Sequence, residues 1–241
     1  MNYNMTDIHM HLIPGVDDGA VDLHMAMEML QQAHDQGIRT VFATPHSSAY
    51  DDWQEETAKR FQILRSRAKL EFRDMQIFPG CEVFCHPACM EDVLCALESG
   101  KYPTMNETNY VLIEFSTRIR PQGITECAQT LINKGWKPII AHMERYRYLW
   151  NLPELVDTLR EMGCLIQINA YSLSGEQNDA LKAWARWLTV QKKVDFLGTD
   201  AHRTDHRPPS AEMGLGWLYE NAEQDYADAI AWGNAWKTLQ V

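Results

Sequence analysis

Short apolar runs and longer amphipathic segments alternate along almost the whole chain. The apolar runs are rich in β-branched residues, which is typical of buried strands, and the amphipathic segments repeat apolar residues at helical spacing. Several of the predicted helices end at a glycine. The predicted strands are a first one that contains His9 and His11, then 38–44, 75–83, 109–115, 137–142, 164–169 and 194–200. The predicted helices are 21–36, 52–72, 90–99, 123–133, 152–162 and 177–191, and the tail from 210 is mostly helical.

This succession of about seven strand–helix units predicts a parallel sheet covered by helices, because parallel neighbours need crossover connections. An open doubly wound sheet and a closed barrel both fit the alternation. Polar residues lie at or just beyond the ends of successive strands, and in a barrel all these ends meet at one mouth. We therefore expect an α/β fold, a distorted (β/α)7 TIM-like barrel with its site at the C-terminal mouth of the strands. The 241 residues are expected to form one domain, 1–241.

Composition limits the classes of partner. A formal net charge of −11 and the lack of a Lys/Arg cluster argue against a nucleic-acid binder, although a specific anionic ligand remains compatible if metal ions change the local charge. The N-terminus has no basic region followed by an apolar run, and no stretch approaches the roughly 20 apolar residues of a membrane span. We expect no signal peptide, no membrane span and a cytoplasmic protein. The six cysteines fit free thiols better than disulfides.

Histidines and carboxylates follow nearly every predicted strand. Successive side chains of a strand point to opposite faces, so His9 and His11 project to the same side. Imidazoles and carboxylates are common metal ligands, and nine are proposed here: His9, His11, Asp18, His46, Glu82, Glu114, His142, Asp200 and His202. Each alone has an ordinary alternative as a solvated strand end, a helix-entry residue or an N-cap. Together they favour a metal site, because carboxylates gathered in one mouth would repel and would resist ionising without cations.

These residues stand in motifs that resemble those of the PHP (polymerase and histidinol phosphatase) metal-dependent phosphoesterases. The motifs are Asp7-Ile8-His9-Met10-His11, Thr44-Pro45-His46, Glu82, His142 and Asp200-Ala201-His202. Within that family the chain is similar to the bacterial manganese-dependent protein-tyrosine phosphatases that act on the tyrosine autokinases of capsule and exopolysaccharide synthesis. The narrower likeness lies in Gly15-Val16-Asp17-Asp18-Gly19, Ala43-Thr44-Pro45-His46, Leu112-Ile113-Glu114-Phe115-Ser116, Ala141-His142-Met143-Glu144-Arg145-Tyr146 and Arg207-Pro208-Pro209.

The resemblance implies the PHP fold and a site for three divalent metal ions. The ligand sets that it implies are His9, His11, Glu82 and Asp200 for one metal, Glu82 as a bridge with Glu114 and His142 for a second, and Asp18, His46 and His202 for a third. Manganese is the metal that the resemblance favours, while the mixture of imidazoles and carboxylates also suits iron or zinc. Four carboxylates carry about −4 and three divalent ions about +6, so the loaded pocket would be locally cationic.

The expected reaction is hydrolysis of phosphotyrosine by a water molecule activated by the metal ions, with Arg145 and Arg207 neutralising the phosphoryl oxygens. Guanidinium groups suit phosphate oxygens, and surface ion pairs with Glu144 or Asp205 are the alternative for these two arginines. No general acid is assigned, because tyrosinate, with a parent pKa of about 10, leaves more easily than an alkoxide. His206 and Asp205 are candidates for that role.

Other phosphatase chemistries lack their motifs in this chain. None of the cysteines has an arginine at the Cys-x5-Arg spacing, and there is no Asp-x-Asp, Gly-x4-Gly-Lys or Gly-x-Ser-x-Gly motif. The expected partner is a phosphotyrosine protein, specifically a bacterial tyrosine kinase. Two other functions remain open: a histidinol-phosphate or other small-molecule phosphoesterase with the same ligands, and a noncatalytic protein that binds a kinase or a polysaccharide. The sequence does not determine the oligomeric state.

Overall fold

A computed structural model describes residues 4–51, 53–175 and 178–241. Within these ranges, eight strands alternate with helices. The strands are β1 Met5–Met10, β2 Ile38–Ala43, β3 Gln76–Pro79, β4 Glu82–Phe84, β5 Tyr110–Glu114, β6 Lys137–Ile140, β7 Leu165–Asn169 and β8 Phe196–Gly198. The helices are α1 Leu23–Asp35, α2 Ser48–Asp51, α3 Gln54–Glu71, α4 Met90–Glu98, α5 Pro121–Asn133, α6 Pro153–Glu161, α7 Asp179–Val190, α8 Glu212–Asn221, α9 Gln224–Asp228 and α10 Asn234–Thr238, with a π-helical turn at Ala229–Gly233 between the last two.

The strand predicted over 75–83 is two strands in the structure. The chain pairs with β2 as far as Pro79 and with β5 from Glu82 onward. The change of partner occurs around Gly80, where an added Cβ atom would lie only 2.8 Å from the Thr44 methyl group. A side chain at this position would therefore push the two segments apart. The predicted starting residues of two helices, Asp52 and Gln177, lie outside the described residues.

All the strand pairs in the described part of the chain are parallel. They form a three-stranded sheet of order β1-β2-β3 and a five-stranded sheet of order β4-β5-β6-β7-β8. Isolated parallel bridges connect the two sheets, one between Met10 and Ala201 and one between His46 and Glu82. These bridges lie at or near the carboxyl ends of β1, β2 and β8. The α/β class and the parallel arrangement agree with the prediction.

Two apolar clusters hold the strands and helices together. The larger one lies between strands and helices and includes the buried stripe of α1, formed by Ala26, Met29, Leu30 and Ala33. The smaller cluster takes side chains from seven strands: Ile8, Phe42, Phe78, Tyr110 and Leu112, Ile139, Leu165 and Phe196. Ala235 of α10 and Leu239 just beyond it belong to the same cluster. Burying a large apolar side chain contributes about 1.5–3 kcal/mol, so this inner cluster stabilises the whole arrangement of strands.

The described helices include none that is both long enough and apolar enough to cross a membrane. The six cysteines are free thiols, as the composition predicts. Cys81, Cys85, Cys127 and Cys164 are buried. They therefore act as small apolar residues of the interior.

Candidate metal and phosphate site

The nine predicted ligands converge at the carboxyl ends of the strands. His9 lies within β1, Glu82 begins β4 and Glu114 ends β5, while the other six stand on the segments that follow β1, β2, β6 and β8. A parallel sheet brings these strand ends to one edge, which is why residues so far apart in sequence can meet. The structure brings all nine together: His9, His11, Asp18, His46, Glu82, Glu114, His142, Asp200 and His202.

The deepest part of the cluster contains His9, His11, Glu82 and Asp200. The Nε2 atom of His9 lies 3.2 Å from Oε1 of Glu82, and Nε2 of His11 lies 3.2 Å from Oε2 of the same carboxylate. The two Nε2 atoms are 3.3 Å apart. Oδ1 of Asp200 lies 3.6 Å from Nε2 of His9 and 3.5 Å from Nε2 of His11. All four side chains are almost completely buried.

Glu82 also faces a second group of residues. Its Oε1 atom lies 2.8 Å from Nε2 of His142, which is itself 3.8 Å from Oε2 of Glu114. Nδ1 of His46 lies 3.0 Å from Oε2 of Glu82 and 3.0 Å from Oε1 of Glu114. Glu82 therefore lies between the first group and the second.

A third group lies nearer the solvent. Oδ1 of Asp18 lies 3.4 Å from Nε2 of His46 and 3.4 Å from Nε2 of His202. Three sets have ligand atoms that all lie within 4.8 Å of one another: His11, Asp18, His46 and His202; His9, His11 and Glu82; and His46, Glu82 and Glu114. These sets overlap the three implied metal positions in part: His11 and His46 each belong to one more set than the resemblance gives them, and His142 and Asp200 belong to none.

The donor atoms fit divalent metal ions. Oε2 of Glu82 is buried and accepts no well-aligned hydrogen bond, although Nδ1 of His46 and Nε2 of His11 lie 3.0 Å and 3.2 Å from it. An unsatisfied buried polar group costs about 1–3 kcal/mol, and nitrogen and oxygen lone pairs directed at one point are what a cation requires. The facing Nε2 atoms of His9 and His11 add to this pattern. Imidazoles with carboxylates suit manganese, iron and zinc, and exclude none of the three.

The pKa values show how the charges of the imidazoles and carboxylates are balanced when no metal ion is bound. Burial disfavours the charged form of His46, but hydrogen bonds to Glu114 and Glu82 outweigh this and raise its pKa to about 10. Burial would raise the pKa of Glu82, yet His9 and the neighbouring histidines lower it well below its ordinary value. Burial and the charge of His11 lower the pKa of His202 to about 3. Protons on the imidazoles thus neutralise carboxylates that metal ions would otherwise balance.

Asp17 orients the ring of His11, a role that the sequence does not predict for it. Its carboxylate lies 2.8 Å from Nδ1 of His11 and accepts hydrogen bonds from the backbone N–H groups of Gly19 at 2.9 Å and His46 at 3.1 Å. When Nδ1–H of an imidazole donates to a carboxylate, the lone pair on Nε2 is free to bind a metal ion. Burial opposes ionisation of Asp17, but His11 and these donors lower its pKa to about 2. The only sequence signal is the Asp17-Asp18 pair, which does not tell which carboxylate points inward.

Gln167 is a second positioning residue without a sequence signal. Its Oε1 atom accepts a hydrogen bond from the backbone N–H of His142 at 2.7 Å and lies 3.4 Å from Nδ1 of His9. Its Nε2 atom donates to Oδ1 of Asn169 at 2.9 Å, and Asn169 in turn donates to Oδ2 of Asp200 at 3.3 Å. A buried amide network on β7 thereby connects three candidate ligands.

Three residues of the site have a strained backbone. His142, Asp200 and Arg207 have φ values of 33°, 53° and 58°, in the left-handed region that side chains other than glycine rarely adopt. Each such residue costs on the order of 1–3 kcal/mol and persists only where its surroundings fix it. The Gln167 side chain fixes His142, and the Asp200 N–H donates to the His9 carbonyl at 2.7 Å.

Both predicted arginines reach the metal-ligand cluster. Nη1 of Arg145 lies 2.6 Å from Oδ2 of Asp200, and its Nη2 donates to the Tyr171 hydroxyl at 2.7 Å. Arg207 contacts the same Asp200 oxygen, and its Nη1 lies 3.1 Å from Nε2 of His202. In the described residues neither arginine pairs with Glu144 or Asp205, the alternatives raised by the sequence.

A cavity of about 1010 Å³ opens beside these arginines. Arg145, Arg207, Tyr171, Trp150 and Met213 are among the residues that line it. His206, a candidate general acid, also lines the cavity. The combination of guanidinium groups with apolar and aromatic walls suits a ligand that has an anionic group on an aromatic ring.

The sequence profile of the family described as "Capsular polysaccharide synthesis, CpsB/CapC" matches residues 5–240. The tyrosine-protein phosphatase CpsB of Streptococcus pneumoniae is 34% identical over 212 residues, which cover 85% of this chain and 86% of that protein. The tyrosine-protein phosphatase YwqE of Bacillus subtilis (strain 168) is 34% identical over 205 residues, which cover 84% and 79% of the two chains.

A solved structure has a similar fold over nearly the whole length. It comes from a study of YwqE from Bacillus subtilis and CpsB from Streptococcus pneumoniae, described as "unique metal-dependent tyrosine phosphatases". The TM-score is 0.83 at 32% sequence identity, and the match covers 92% of this chain and 90% of that chain.

Proposed function

This chain belongs to the CpsB/CapC family of capsular polysaccharide synthesis, and we propose on that premise that it is a metal-dependent protein-tyrosine phosphatase. The observation that carries the proposal is the convergence of nine imidazole and carboxylate side chains beside two arginines at one edge of the strands. The relatives named as tyrosine-protein phosphatases match more than four fifths of the chain.

We propose that the nine residues hold three divalent metal ions, with manganese as the resident metal. His9, His11, Glu82 and Asp200 would hold the first ion, Glu82, Glu114 and His142 the second, and Asp18, His46 and His202 the third. When bound, such ions supply positive charge to phosphoryl oxygens and lower the pKa of water toward neutrality. Asp17 and Gln167 keep the ligand rings oriented through the hydrogen bonds described above.

Two arginines of the chain bind the phosphoryl group in the proposed reaction. The guanidinium groups of Arg145 and Arg207 meet at Oδ2 of Asp200, so both lie where the oxygens of a phosphate would approach the ligand cluster. Each can donate two hydrogen bonds to phosphoryl oxygens and neutralise charge that develops during the reaction. Tyr171 holds Arg145 from the side through its hydroxyl group.

The proposed substrate is phosphotyrosine on a bacterial tyrosine kinase that controls the synthesis of capsular or extracellular polysaccharide. The family description ties this chain to capsular polysaccharide synthesis, and the relatives are named as tyrosine-protein phosphatases. A phosphorylated side chain must enter from the protein surface, and the cavity at the arginines is wide enough to admit an aromatic ring.

We also propose that the strands close into a distorted seven-stranded barrel within a single domain, 1–241. The count of seven treats β3 and β4 as one strand interrupted at Gly80. Seven strands contribute side chains to the inner apolar cluster, and the two isolated bridges connect the two sheets.

Comparing substrates tests the proposed function. Manganese-loaded protein should hydrolyse a phosphotyrosine peptide with a much higher kcat/KM than histidinol phosphate, since the cavity has aromatic and apolar walls around the arginines. A preference for histidinol phosphate would favour the small-molecule phosphoesterase. A lack of turnover on both substrates, at full metal content, would favour the noncatalytic binding protein.

A further inference from the structure

Two more arginines line the cavity beside the site and are not needed for the proposed chemistry. Arg118 follows β5, and Arg147 stands two residues beyond Arg145 in the segment after β6. Both side chains are exposed, and within the described ranges neither forms an ion pair or a side-chain hydrogen bond. Arg145 and Arg207, by contrast, are both engaged by Asp200.

The charge of this cavity is opposite to that of the protein as a whole. Four arginines and His206 line it, and none of its described lining residues is acidic. The chain as a whole has 33 acidic and 22 basic residues. Like charges that share a cavity repel one another, and a bound anion relieves this repulsion. A positive cavity on an acidic protein therefore indicates an anionic ligand.

Arg118 and Arg147 stand on the segments that follow two neighbouring strands. Strands β5 and β6 are hydrogen-bonded neighbours, and the N–H of Phe115 donates to the Tyr146 hydroxyl at 3.1 Å, which ties the segments after the two strands together. Arg118 lies in a turn closed by a hydrogen bond from the Ile119 N–H to the Ser116 carbonyl at 2.8 Å. Arg207 comes from the segment after β8, two strands further along the sheet.

We propose that Arg118 and Arg147 form a second anion subsite that takes an anionic side chain close to the phosphotyrosine of the substrate. This inference rests on the proposed function and narrows it to peptides with acidic or additionally phosphorylated residues near the target tyrosine. Carboxylate and phosphate groups each present a pair of oxygens that can accept two parallel hydrogen bonds from one guanidinium group. The cavity of about 1010 Å³ is at the upper end of the range of about 300–1,000 Å³ for small-ligand sites, so it has room beyond one aryl phosphate.

Peptide kinetics test the subsite. Three phosphotyrosine peptides of equal length would be compared with manganese-loaded protein: one with Asp residues beside the phosphotyrosine, one with a second phosphotyrosine, and one with Asn in the same places. We expect the Asp or the doubly phosphorylated peptide to be preferred over the Asn peptide, and the better of the two identifies the anion. The preference should weaken in high salt, because these arginines are solvent-exposed.

Variants separate the subsite from catalysis. Arg118→Gln and Arg147→Gln should each lower kcat/KM for the preferred peptide roughly two- to fivefold, the size of an exposed ion pair, and leave turnover of a small aryl phosphate unchanged. Arg147→Glu should shift the preference toward a peptide with Lys in those places. Arg73→Gln is the matched control, since Arg73 is an exposed arginine between α3 and β3 that does not line the cavity.

Two results would overturn the subsite while leaving the proposed function standing: equal kcat/KM for all three peptides, or an equal loss of aryl phosphate and peptide turnover in the Gln variants. Failure of the proposed function looks different, because wild-type protein with full metal content would then hydrolyse none of the phosphotyrosine peptides.

Discussion

At the scale of single residues, the sequence points to ligands better than to the residues that orient them. His9, His46 and Glu82 are recognisable because each is a polar residue at or near the end of a predicted apolar run. Asp17 and Gln167 are not, because their roles depend on which way a loop carboxylate and a buried amide point. That direction is set by tertiary contacts, and no local pattern encodes it.

Arg145→Ala should lower kcat for a phosphotyrosine peptide by about 100- to 1,000-fold, as expected for the loss of a charged donor to the transition state. The metal content should stay unchanged, because Arg145 contacts Asp200 from the side facing Tyr171 rather than from the histidines. Steady-state kinetics together with elemental analysis of the same sample measure both. Full activity of the variant would remove Arg145 from the phosphate-binding role.

Asp17→Asn should weaken metal binding roughly 10- to 100-fold, the usual effect of losing a carboxylate that orients a ligand imidazole. The amide is nearly isosteric, so the loop should keep the hydrogen bond from Gly19 to Oδ1, while the contacts of Oδ2 with His46 and His11 are lost. Titration of metal-free protein with manganese measures the change. Asp22→Asn is the control, because Asp22 only caps α1 through the N–H of Met25, and equal effects of the two variants would contradict the account.

At the scale of elements, the spacing of the apolar residues predicted the strands and helices. The prediction of a single strand over 75–83 was wrong, because two segments of the chain approach each other closely there. The run 75–83 has the composition of one strand, and only the packing of Gly80 against Thr44 divides it. The resemblance to capsule-type tyrosine phosphatases, drawn from the strand-end motifs, is confirmed by the family match. The arrangement of the C-terminal helices was harder to predict, because α8 packs against the segment Ala170–Leu173 and Ala235 of α10 packs in the inner apolar cluster, far away in sequence.

Helix α8 provides a test at this scale. A Cβ atom on Gly214 would collide with the carbonyl oxygen of Ala170, in the segment that carries Tyr171. Gly214→Ala should therefore destabilise the protein by about 1–3 kcal/mol through overpacking, and it should lower activity by moving the Tyr171 hydroxyl away from Arg145. Urea denaturation and peptide kinetics measure the two effects. Glu220→Ala, at an exposed position of the same helix, should change neither, and normal stability of Gly214→Ala would refute the close packing.

At the scale of the whole molecule, an acidic chain folds so that five of its nine histidines share one cluster with carboxylates. The fold class and the position of the site followed from the strand–helix alternation. The distances among the ligands and the basic cavity did not, since they depend on how loops from different strands meet.

Metal binding by the whole protein should release protons. His46 has a pKa of about 10 without metal, raised by Glu114 and Glu82, so it is protonated at pH 7.5 and must lose its proton to become a ligand. Apparent manganese affinity should accordingly rise with pH throughout the range below about 10. Calorimetry at pH 7.5 in buffers of different ionisation enthalpy counts the released protons. Binding heats that are independent of the buffer would show that the histidines are already neutral.

The most direct test of the account is the activity of one protein sample as its metal content is changed. Protein stripped with a chelator and then dialysed should release no phosphate from a phosphotyrosine peptide. Activity should return as manganese is added back, rising up to three ions per chain by elemental analysis. Stripped protein with undiminished activity, or protein with three bound ions and no turnover, would contradict the central claim that this cluster of histidines and carboxylates is a metal centre for phosphotyrosine hydrolysis.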